Sequence, residues 1–326
     1  MGGLIDGKNA EGETIAHYQP VNTQGITVSY TEHRYSSHDG LSLYYRDYGS
    51  GNNVVVCLPG LTRNSKDFND VAMHLAGRWR VLAPDLRGRG RSDYDPKPAN
   101  YNAATYAADC WRLLDELGLQ QVALIGTSLG GLVSMIMADQ QPQRLRGVVI
   151  NDMGPDVPPA AVSRILRYVG RTPPAEDWAA AARDAKLNYG LAFPGLPDTF
   201  WERHVRHYWK EDEQGRPVPD MDPAIGDALR KAYGALKILR WLRRAGLLKR
   251  VRGVPIDPWD LYSALTMPAL LLRGELSDVL TEDTVARMLR SKPDLEVVRV
   301  PDRGHAPLLD EPAALEAVDR FLTRLP

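Results

Sequence analysis

Residues 122–133 read Val-Ala-Leu-Ile-Gly-Thr-Ser-Leu-Gly-Gly-Leu-Val, and this stretch decides the fold. An apolar run such as 122–125 is typical of a strand buried on both faces. Gly126-Thr127-Ser128-Leu129-Gly130 then satisfies the pattern G-x-S-x-G, and a helical pattern extends from Leu129 to Asp139. Flanking glycines allow a sharp reversal that lifts the serine oxygen above the sheet. The stretch predicts a strand, a tight turn and a helix that present Ser128 as a nucleophile; a serine that only caps the helix is the alternative.

The same alternation of strands and helices continues on both sides of this unit. Strands are predicted at 32–38, 41–48, 54–58, 80–83, 147–150, 269–273 and 296–300. Helices are predicted at 102–117, near 281–290 and from about 308. Asp39-Gly40 marks a hairpin turn between the first two strands. The pattern predicts an α/β fold, with a mostly parallel sheet and helices on both faces.

The alternation is interrupted between 155 and 262. This segment holds 12 of the 24 prolines and five of the seven tryptophans, so its helices must be short or broken. We predict a polar N-terminal leader at 1–25, a core formed by 26–154 and 263–326, and an inserted helical cap at 155–262 over the carboxyl edge of the sheet.

Composition excludes several classes of protein. The 326 residues carry 40 Lys and Arg against 41 Asp and Glu, a net charge of -1, so no overall field draws the chain to nucleic acid. No stretch of the sequence approaches a run of about 18 uninterrupted apolar residues, the length that a membrane-spanning helix needs. The two cysteines, Cys57 and Cys110, are predicted to be buried thiols. No signal peptide is recognised, which predicts a cytoplasmic protein whose partner is a small-molecule substrate; a homo-oligomer is left open.

A serine nucleophile needs a base and an orienting acid. His305 lies in the loop 301–307 after a predicted strand, at the same sheet edge as Ser128. Asp278 and Glu275 follow another strand, and we favour Asp278 as the acid. Asp152, at the end of strand 147–150, is the alternative. His204 and His207, three residues apart, are interpreted as a solvated helix face.

The chain order Ser128, Asp278, His305 resembles that of α/β-hydrolase-fold serine hydrolases with a cap domain, over about residues 30–325. Three further segments carry the resemblance. Leu58-Pro59-Gly60-Leu61-Thr62 stands where the family has its oxyanion loop, Asp85–Ser92 matches D-x-R-G-x-G-x-S, and Gly304-His305-Ala306-Pro307 surrounds the base.

The resemblance implies a mechanism. His305 removes the Ser128 proton, Asp278 orients the imidazole, and the backbone N–H groups of Leu61 and Leu129 bind the oxyanion. No residue set calls for a cofactor or a metal. The tryptophan-rich cap suggests an apolar pocket lined by Trp201, Trp209 and Trp259, although these side chains could equally form the core of the cap itself.

Differences between this sequence and related families reduce the number of candidate reactions. Serine at position 128, in the tight turn between strand and helix, argues against haloalkane dehalogenases and epoxide hydrolases, which resemble this chain but use aspartate there. Ala306 stands where carbon-carbon bond hydrolases typically have tryptophan, and Pro59 replaces the usual histidine of the oxyanion loop. Hydrolysis of a carboxylic ester is therefore predicted, with lactonase or carbon-carbon bond hydrolase as alternatives and perhydrolase, acyltransferase or a non-catalytic ligand receptor behind them.

Two basic segments have alternative interpretations. Arg87, Arg89 and Arg91 could cradle a phosphate, but in proteins that this chain resembles the segment supports the oxyanion loop. Residues 230–252 carry nine basic residues and no acidic one. A helix with a solvated basic face is favoured there over a docking surface for anionic substrates or a membrane.

Overall fold

The computed structural model describes residues 5–8, 14–17, 30–249 and 256–326. The strands are β1 Ile5–Lys8, β2 Thr14–His17, β3 Tyr30–Ser36, β4 Ser42–Tyr48, β5 Val54–Leu58, β6 Arg80–Pro84, β7 Val122–Thr127, β8 Leu145–Asn151, β9 Trp209–Glu211, β10 Pro217–Pro219, β11 Ala269–Gly274 and β12 Glu296–Val300. The helices are α1 Asn69–Leu75, α2 Ala103–Glu116, α3 Leu129–Gln140, α4 Pro159–Tyr168, α5 Trp178–Tyr189, α6 Asp198–Tyr208, α7 Ala224–Arg244, α8 Pro258–Tyr262, α9 Glu282–Ser291 and α10 Pro312–Thr323.

An eight-stranded sheet organises the molecule. Its strand order is β12-β11-β8-β7-β5-β6-β4-β3. β4 pairs antiparallel with β3 and β6, and every other pairing in this sheet is parallel. The prediction of a mostly parallel sheet is confirmed. Because parallel strands end at one edge, the loops after β5, β7, β8, β11 and β12 lie side by side there.

Helices cover both faces of the sheet. Alternate residues of β5 point to opposite sides: Val54 and Val56 pack with α2 and α3, whereas Val55 and Cys57 pack with α1 and α10. Such burial on both faces explains why the strands read as continuous apolar runs. Cys57 and Cys110 are buried free thiols, as predicted, and burial raises the pKa of both.

The chain between β8 and β11 forms α4 to α8 and the short β9–β10 hairpin. We call residues 155–262 the inserted segment. It has a core of its own, built around Trp201, Val205 and Phe193. The sequence does not predict the hairpin, and the division into leader, core and cap stays a prediction.

The predicted leader contains a short pairing of its own, since β1 and β2 are antiparallel neighbours. The remainder of 1–25 lies outside the described residues. None of the helices in the described part of the chain is both long and apolar enough to cross a bilayer.

Candidate active site

Ser128 stands on a sharp turn between β7 and α3. Its backbone has φ +53° and ψ −111°, a left-handed conformation that few non-glycine residues adopt. Glycine is required on both sides because of close packing. A Cβ at Gly126 would lie 2.4 Å from the carbonyl oxygen of Gly130, and one at Gly130 would lie 2.0 Å from that of Leu58. The turn thus holds the Ser128 side chain above the carboxyl edge of the sheet.

His305 and Asp152 complete a continuous chain of hydrogen bonds with Ser128. The Nε2 atom of His305 lies 2.7 Å from Ser128 Oγ. Its Nδ1 atom lies 2.7 Å from Asp152 Oδ2. His305 follows β12 and Asp152 follows β8, so the three side chains meet at one sheet edge although they are far apart in sequence. With Nδ1 protonated, Nε2 is free to accept the serine proton.

The favoured acid, Asp278, is corrected to Asp152 by this geometry. The Asp278 side chain is 60% exposed and forms an ion pair with Arg164 on α4, with Nη2 and Oδ2 2.6 Å apart. Glu275 is exposed as well. Both follow β11, whereas the buried carboxylate that reaches His305 follows the adjacent strand β8.

The loop that contains Asp278 nevertheless serves the site through Ser277. The Ser277 hydroxyl donates to Asp152 Oδ2 over 2.6 Å, and the Gly274 N–H donates to Oδ1 over 2.9 Å. Together with His305, these donors hold the buried Asp152 carboxylate in place. The sequence points to this Gly274–Asp278 loop, but the residue of the loop that contacts the acid is Ser277 rather than Asp278.

The predicted oxyanion loop lies beside Ser128. Gly60 is close enough that a Cβ there would be 3.9 Å from the Cβ of Ser128. The buried Arg89 side chain donates from Nε to the Leu61 carbonyl over 2.6 Å. Asp85 accepts from the Ser65 N–H at 2.7 Å and from the Arg91 N–H at 2.8 Å. The D-x-R-G-x-G-x-S segment therefore fixes the turn that carries Leu61.

This role leaves no arginine for a phosphate cradle. Arg87 is fully buried and pairs with Asp39, Asp95 and Asp109. Its hydrogen bonds hold the pKa of Asp39 below the ordinary value. Arg91 pairs with Glu32. In the described part of the chain, His38, Asp39 and Asp109 are close enough to share a metal ion, but Arg87 already binds two of these carboxylates.

The family model described as alpha/beta hydrolase fold matches residues 53–312. The chain belongs to this family. The predicted α/β-hydrolase fold is thereby confirmed, and the chain is a hydrolase of the α/β superfamily.

Individual relatives cover most of this α/β hydrolase. It is 31% identical over 292 residues to a 3-hydroxybutyrate-oligomer hydrolase from Cupriavidus necator. The aligned region covers 86% of this chain and 92% of that protein. It is 29% identical over 266 residues to a 2-(acetamidomethylene)succinate hydrolase from Mesorhizobium japonicum, with 81% and 85% covered. The crystal structure of an alpha/beta hydrolase from Novosphingobium aromaticivorans is 40% identical, superimposes with a TM-score of 0.81 and covers 91% of this chain and 99% of that one.

A cavity of about 350 Å³ lies in front of Ser128 and His305 in this α/β hydrolase. The sheet side contributes Leu61, Phe68, Leu129 and Leu132 to its wall. The inserted segment contributes most of the aromatic wall, from Tyr168, Tyr189, Phe193, Phe200, Tyr208 and Tyr233. The cavity is therefore closed by the two parts of the chain together, and its lining is largely apolar.

The three tryptophans predicted to line the pocket lie elsewhere. Trp201 and Trp209 are buried in the core of the inserted segment, and Trp201 packs edge-on against Phe193 and Phe200. Trp259 donates from Nε1 to Asp156, and the guanidinium of Arg287 stacks on its ring at 3.7 Å. The alternative, that such aromatics form the core of a small helical segment, is correct for Trp201 and Trp209. Tyrosines and phenylalanines form the pocket instead.

His204 and His207 line the pocket, so their interpretation as a solvated helix face is wrong. Burial, with a smaller contribution from the charge of nearby Arg63, lowers the pKa of both histidines, that of His207 to about 4. Arg63 is bound to Asp67 through two 2.5 Å hydrogen bonds and stacks over the Tyr208 ring at 4.0 Å. At neutral pH both histidines are uncharged, so they offer neutral hydrogen-bonding groups to the pocket.

Proposed function

We propose that this chain is a serine hydrolase that cleaves carboxylic esters through an acyl-enzyme on Ser128. The observation that carries the proposal is the pair of 2.7 Å hydrogen bonds that joins Ser128 Oγ to His305 and His305 to the buried Asp152. A serine hydroxyl at neutral pH is a weak nucleophile, and this arrangement supplies the base and the orienting acid that it needs.

The reaction proceeds in two halves. Ser128 Oγ attacks the ester carbonyl carbon while His305 Nε2 takes the hydroxyl proton, and the backbone N–H groups of Leu61 and Leu129 receive the oxyanion. The tetrahedral intermediate collapses as His305 returns that proton to the leaving alkoxide, which departs as an alcohol. Water then gives a proton to His305 and attacks the acyl-enzyme, releasing the carboxylic acid and restoring Ser128.

The substrate class that we propose is a short ester of a hydroxy acid. A cavity of about 350 Å³ lies at the small end of ligand pockets, which favours short acyl groups. The relative from Cupriavidus necator is a 3-hydroxybutyrate-oligomer hydrolase, and such oligomers are short esters that end in a free carboxylate.

A cation at the pocket wall supports recognition of that carboxylate. Arg63 and Arg164 are paired with Asp67 and Asp278. Arg203 also lines the pocket, and no ion pair within the described ranges involves it. We assign Arg203 to the carboxylate end of the substrate.

The first test is hydrolysis of p-nitrophenyl esters from acetate to decanoate by the wild type, Ser128→Ala and the control Ser263→Ala, whose hydroxyl lies outside the pocket. We expect Ser128→Ala to lose activity by about 10³-fold or more and the control to keep it, with the highest rates on the short esters. A fluorophosphonate should label the wild type and the control but not Ser128→Ala. Equal activity in all three proteins, or no activity and no labelling, would contradict the proposal.

The second test addresses the substrate class. We expect the wild type to cleave the linear dimer and trimer of 3-hydroxybutyrate, and Arg203→Gln to raise KM for the dimer by about tenfold, since a charged hydrogen bond is lost. KM for uncharged p-nitrophenyl butyrate should not change. An equal effect on both substrates would remove Arg203 from carboxylate recognition while leaving the serine mechanism intact.

A further inference from the structure

The helix α7 exposes apolar residues where a surface helix usually exposes polar ones. Ile238 and Trp241 are 63% and 65% exposed, and Leu247, just beyond the helix, is 69% exposed. Gly234 and Ala245 are exposed at positions 4 residues before Ile238 and 4 residues after Trp241, so they continue the same face. We call Gly234, Ile238, Trp241, Ala245 and Leu247 the apolar stripe.

Contacts of the first half of α7 fix this orientation. Leu229 and Tyr233 form part of the active-site pocket, and Ile225 is buried in the main core. Arg230 donates from Nη1 to the carbonyl oxygens of Leu166 and Val169, at 3.0 Å each. The helix therefore cannot turn the apolar stripe inward without opening the pocket wall.

Two lysines flank the stripe. They belong to residues 230–249, which contain seven basic side chains and no acidic one, and two of these side chains, Arg230 and Arg243, are paired with Asp227 and Asp260. At 100° per residue, Lys237 lies at one edge of the stripe and Lys231 just beyond Ile238 on the other side. Both are exposed, and neither takes part in an ion pair with any residue that the structure describes. An apolar centre between lysines is the pattern of helices that lie in the headgroup region of a membrane.

The charge also distinguishes between occupants of the stripe. A symmetric contact with a second copy would bring Lys231 and Lys237 of both copies close together, and like charges oppose association. A neutral apolar surface would bury Ile238 and Trp241 but would offer the two lysines no counter-charge. An anionic lipid headgroup layer satisfies both parts of the surface.

We propose that the apolar stripe of α7 docks this protein on anionic phospholipid membranes. The stripe inserts at the headgroup boundary, and Lys231 and Lys237 contact lipid phosphates. Because Tyr233 on the same helix lines the pocket, docking brings the pocket wall close to the membrane surface. The inference concerns a surface outside the catalytic residues and does not depend on the proposed ester hydrolysis.

The test is co-sedimentation of the full chain with vesicles of phosphatidylcholine alone or mixed with phosphatidylglycerol. We expect the partition coefficient to be at least about tenfold higher with phosphatidylglycerol and to fall as salt is raised. Ile238→Glu/Trp241→Glu should abolish binding, and Lys231→Glu/Lys237→Glu should remove the preference for phosphatidylglycerol. Leu289→Glu, which places a carboxylate on a partly exposed apolar residue of α9, is the control and should bind as the wild type does.

Thermal unfolding of each variant establishes that it is folded, and sedimentation velocity gives its oligomeric state. No binding of the folded wild type to either vesicle would overturn the proposal. Equal binding to neutral and anionic vesicles would overturn the role of charge. A wild-type dimer that Ile238→Glu/Trp241→Glu converts to a monomer would assign the stripe to a second copy of the chain instead.

Discussion

Asp152 and Asp278 follow neighbouring strands, but their surroundings are opposite. Asp152 is buried and accepts hydrogen bonds from Gly274 and Ser277 while it contacts His305. Asp278 is exposed and pairs with Arg164. Loss of the charge of a buried acid weakens several hydrogen bonds to it, whereas an exposed ion pair contributes little to stability.

This contrast gives a prediction for matched substitutions. Asp152→Asn should lower kcat on p-nitrophenyl butyrate by about 10³- to 10⁴-fold, because an amide cannot hold His305 in the tautomer that accepts the serine proton. Asp278→Asn should stay within about twofold of the wild type, since it loses only a surface ion pair. Steady-state kinetics of both variants measures these changes in kcat, and circular dichroism checks that each variant is folded. The reverse ranking would restore Asp278 as the acid.

Asp310 predicts a pH dependence of stability. It lines the pocket just after the His305 loop, and burial, helped by Glu311 and Asp70, raises its pKa to about 6. The folded state therefore prefers the protonated carboxyl, and ionisation destabilises the fold as the pH rises through 6. Below the unfolded value near 3.8 this penalty is absent.

Asp310→Asn should remove that penalty. We expect the variant to be more stable than the wild type by about 1–2 kcal/mol at pH 8, a value reduced for partial solvent screening, and by about half as much at pH 5. Urea unfolding at both pH values measures the difference. A gain that is the same at pH 5 and pH 8 would mean that the titration of Asp310 does not cause it.

At the level of elements, the contact between α3 and β5 fixes the position of Ser128. Gly130 in the first turn of α3 packs directly against the Leu58 carbonyl at the end of β5, where even a Cβ has no space. Gly234, inside α7, is exposed, and a Cβ added there would have no other atom within 4 Å. Replacement of glycine by alanine therefore meets a steric clash in α3 and open space in α7.

Gly130→Ala should lower the free energy of unfolding by about 2 kcal/mol or more, because backbone atoms must move to make space for the methyl group. The same movement should distort the turn that carries Ser128. Gly234→Ala should stabilise it by about 0.5–1 kcal/mol, since alanine has the higher helix propensity. Chemical denaturation of the two variants beside the wild type provides the comparison. Equal destabilisation by both would show that space at Gly130 is not the cause.

The sheet elements could be predicted from sequence because their residues are buried on both faces. The strand expected at 296–300 has those bounds in the structure, and the helix expected at 102–117 spans Ala103–Glu116. The inserted segment was less predictable, since the β9–β10 hairpin comprises only three residues in each strand. Such short elements depend on contacts distant in sequence rather than on a repeating pattern.

The site was predictable in part for a related reason. Ser128 and His305 each lie in a loop whose place at the sheet edge follows from the strand before it. The acid could not be predicted in this way, because Asp152 and Asp278 both follow strands that end at that edge. Only the backbone conformation after each strand decides which carboxylate turns inward. The pocket aromatics depend on how α4, α5 and α6 pack, which local sequence does not specify.

On the scale of the whole molecule, the sheet and the inserted segment have cores of different size. The sheet has extensive cores on both faces, whereas the inserted segment has a smaller one around Trp201. The two parts are joined partly through polar contacts: the Asp222 N–H donates to the Gly88 carbonyl over 2.8 Å, and the Tyr101 hydroxyl donates to Asp222 over 2.5 Å. Water competes for such contacts when the segment opens.

The inserted segment should therefore unfold before the sheet. Because Tyr208, Phe200 and other residues of this segment form the pocket wall, esterase activity should be lost at a urea concentration about 0.5–1 M below the midpoint seen by far-UV circular dichroism. Trp201→Ala, which opens a cavity in the smaller core, should lower the activity midpoint and widen the gap. Val149→Ala, in the sheet, is the matched control and should lower both midpoints together. Coincident curves for all three proteins would mean that the sheet and the inserted segment unfold as one cooperative unit.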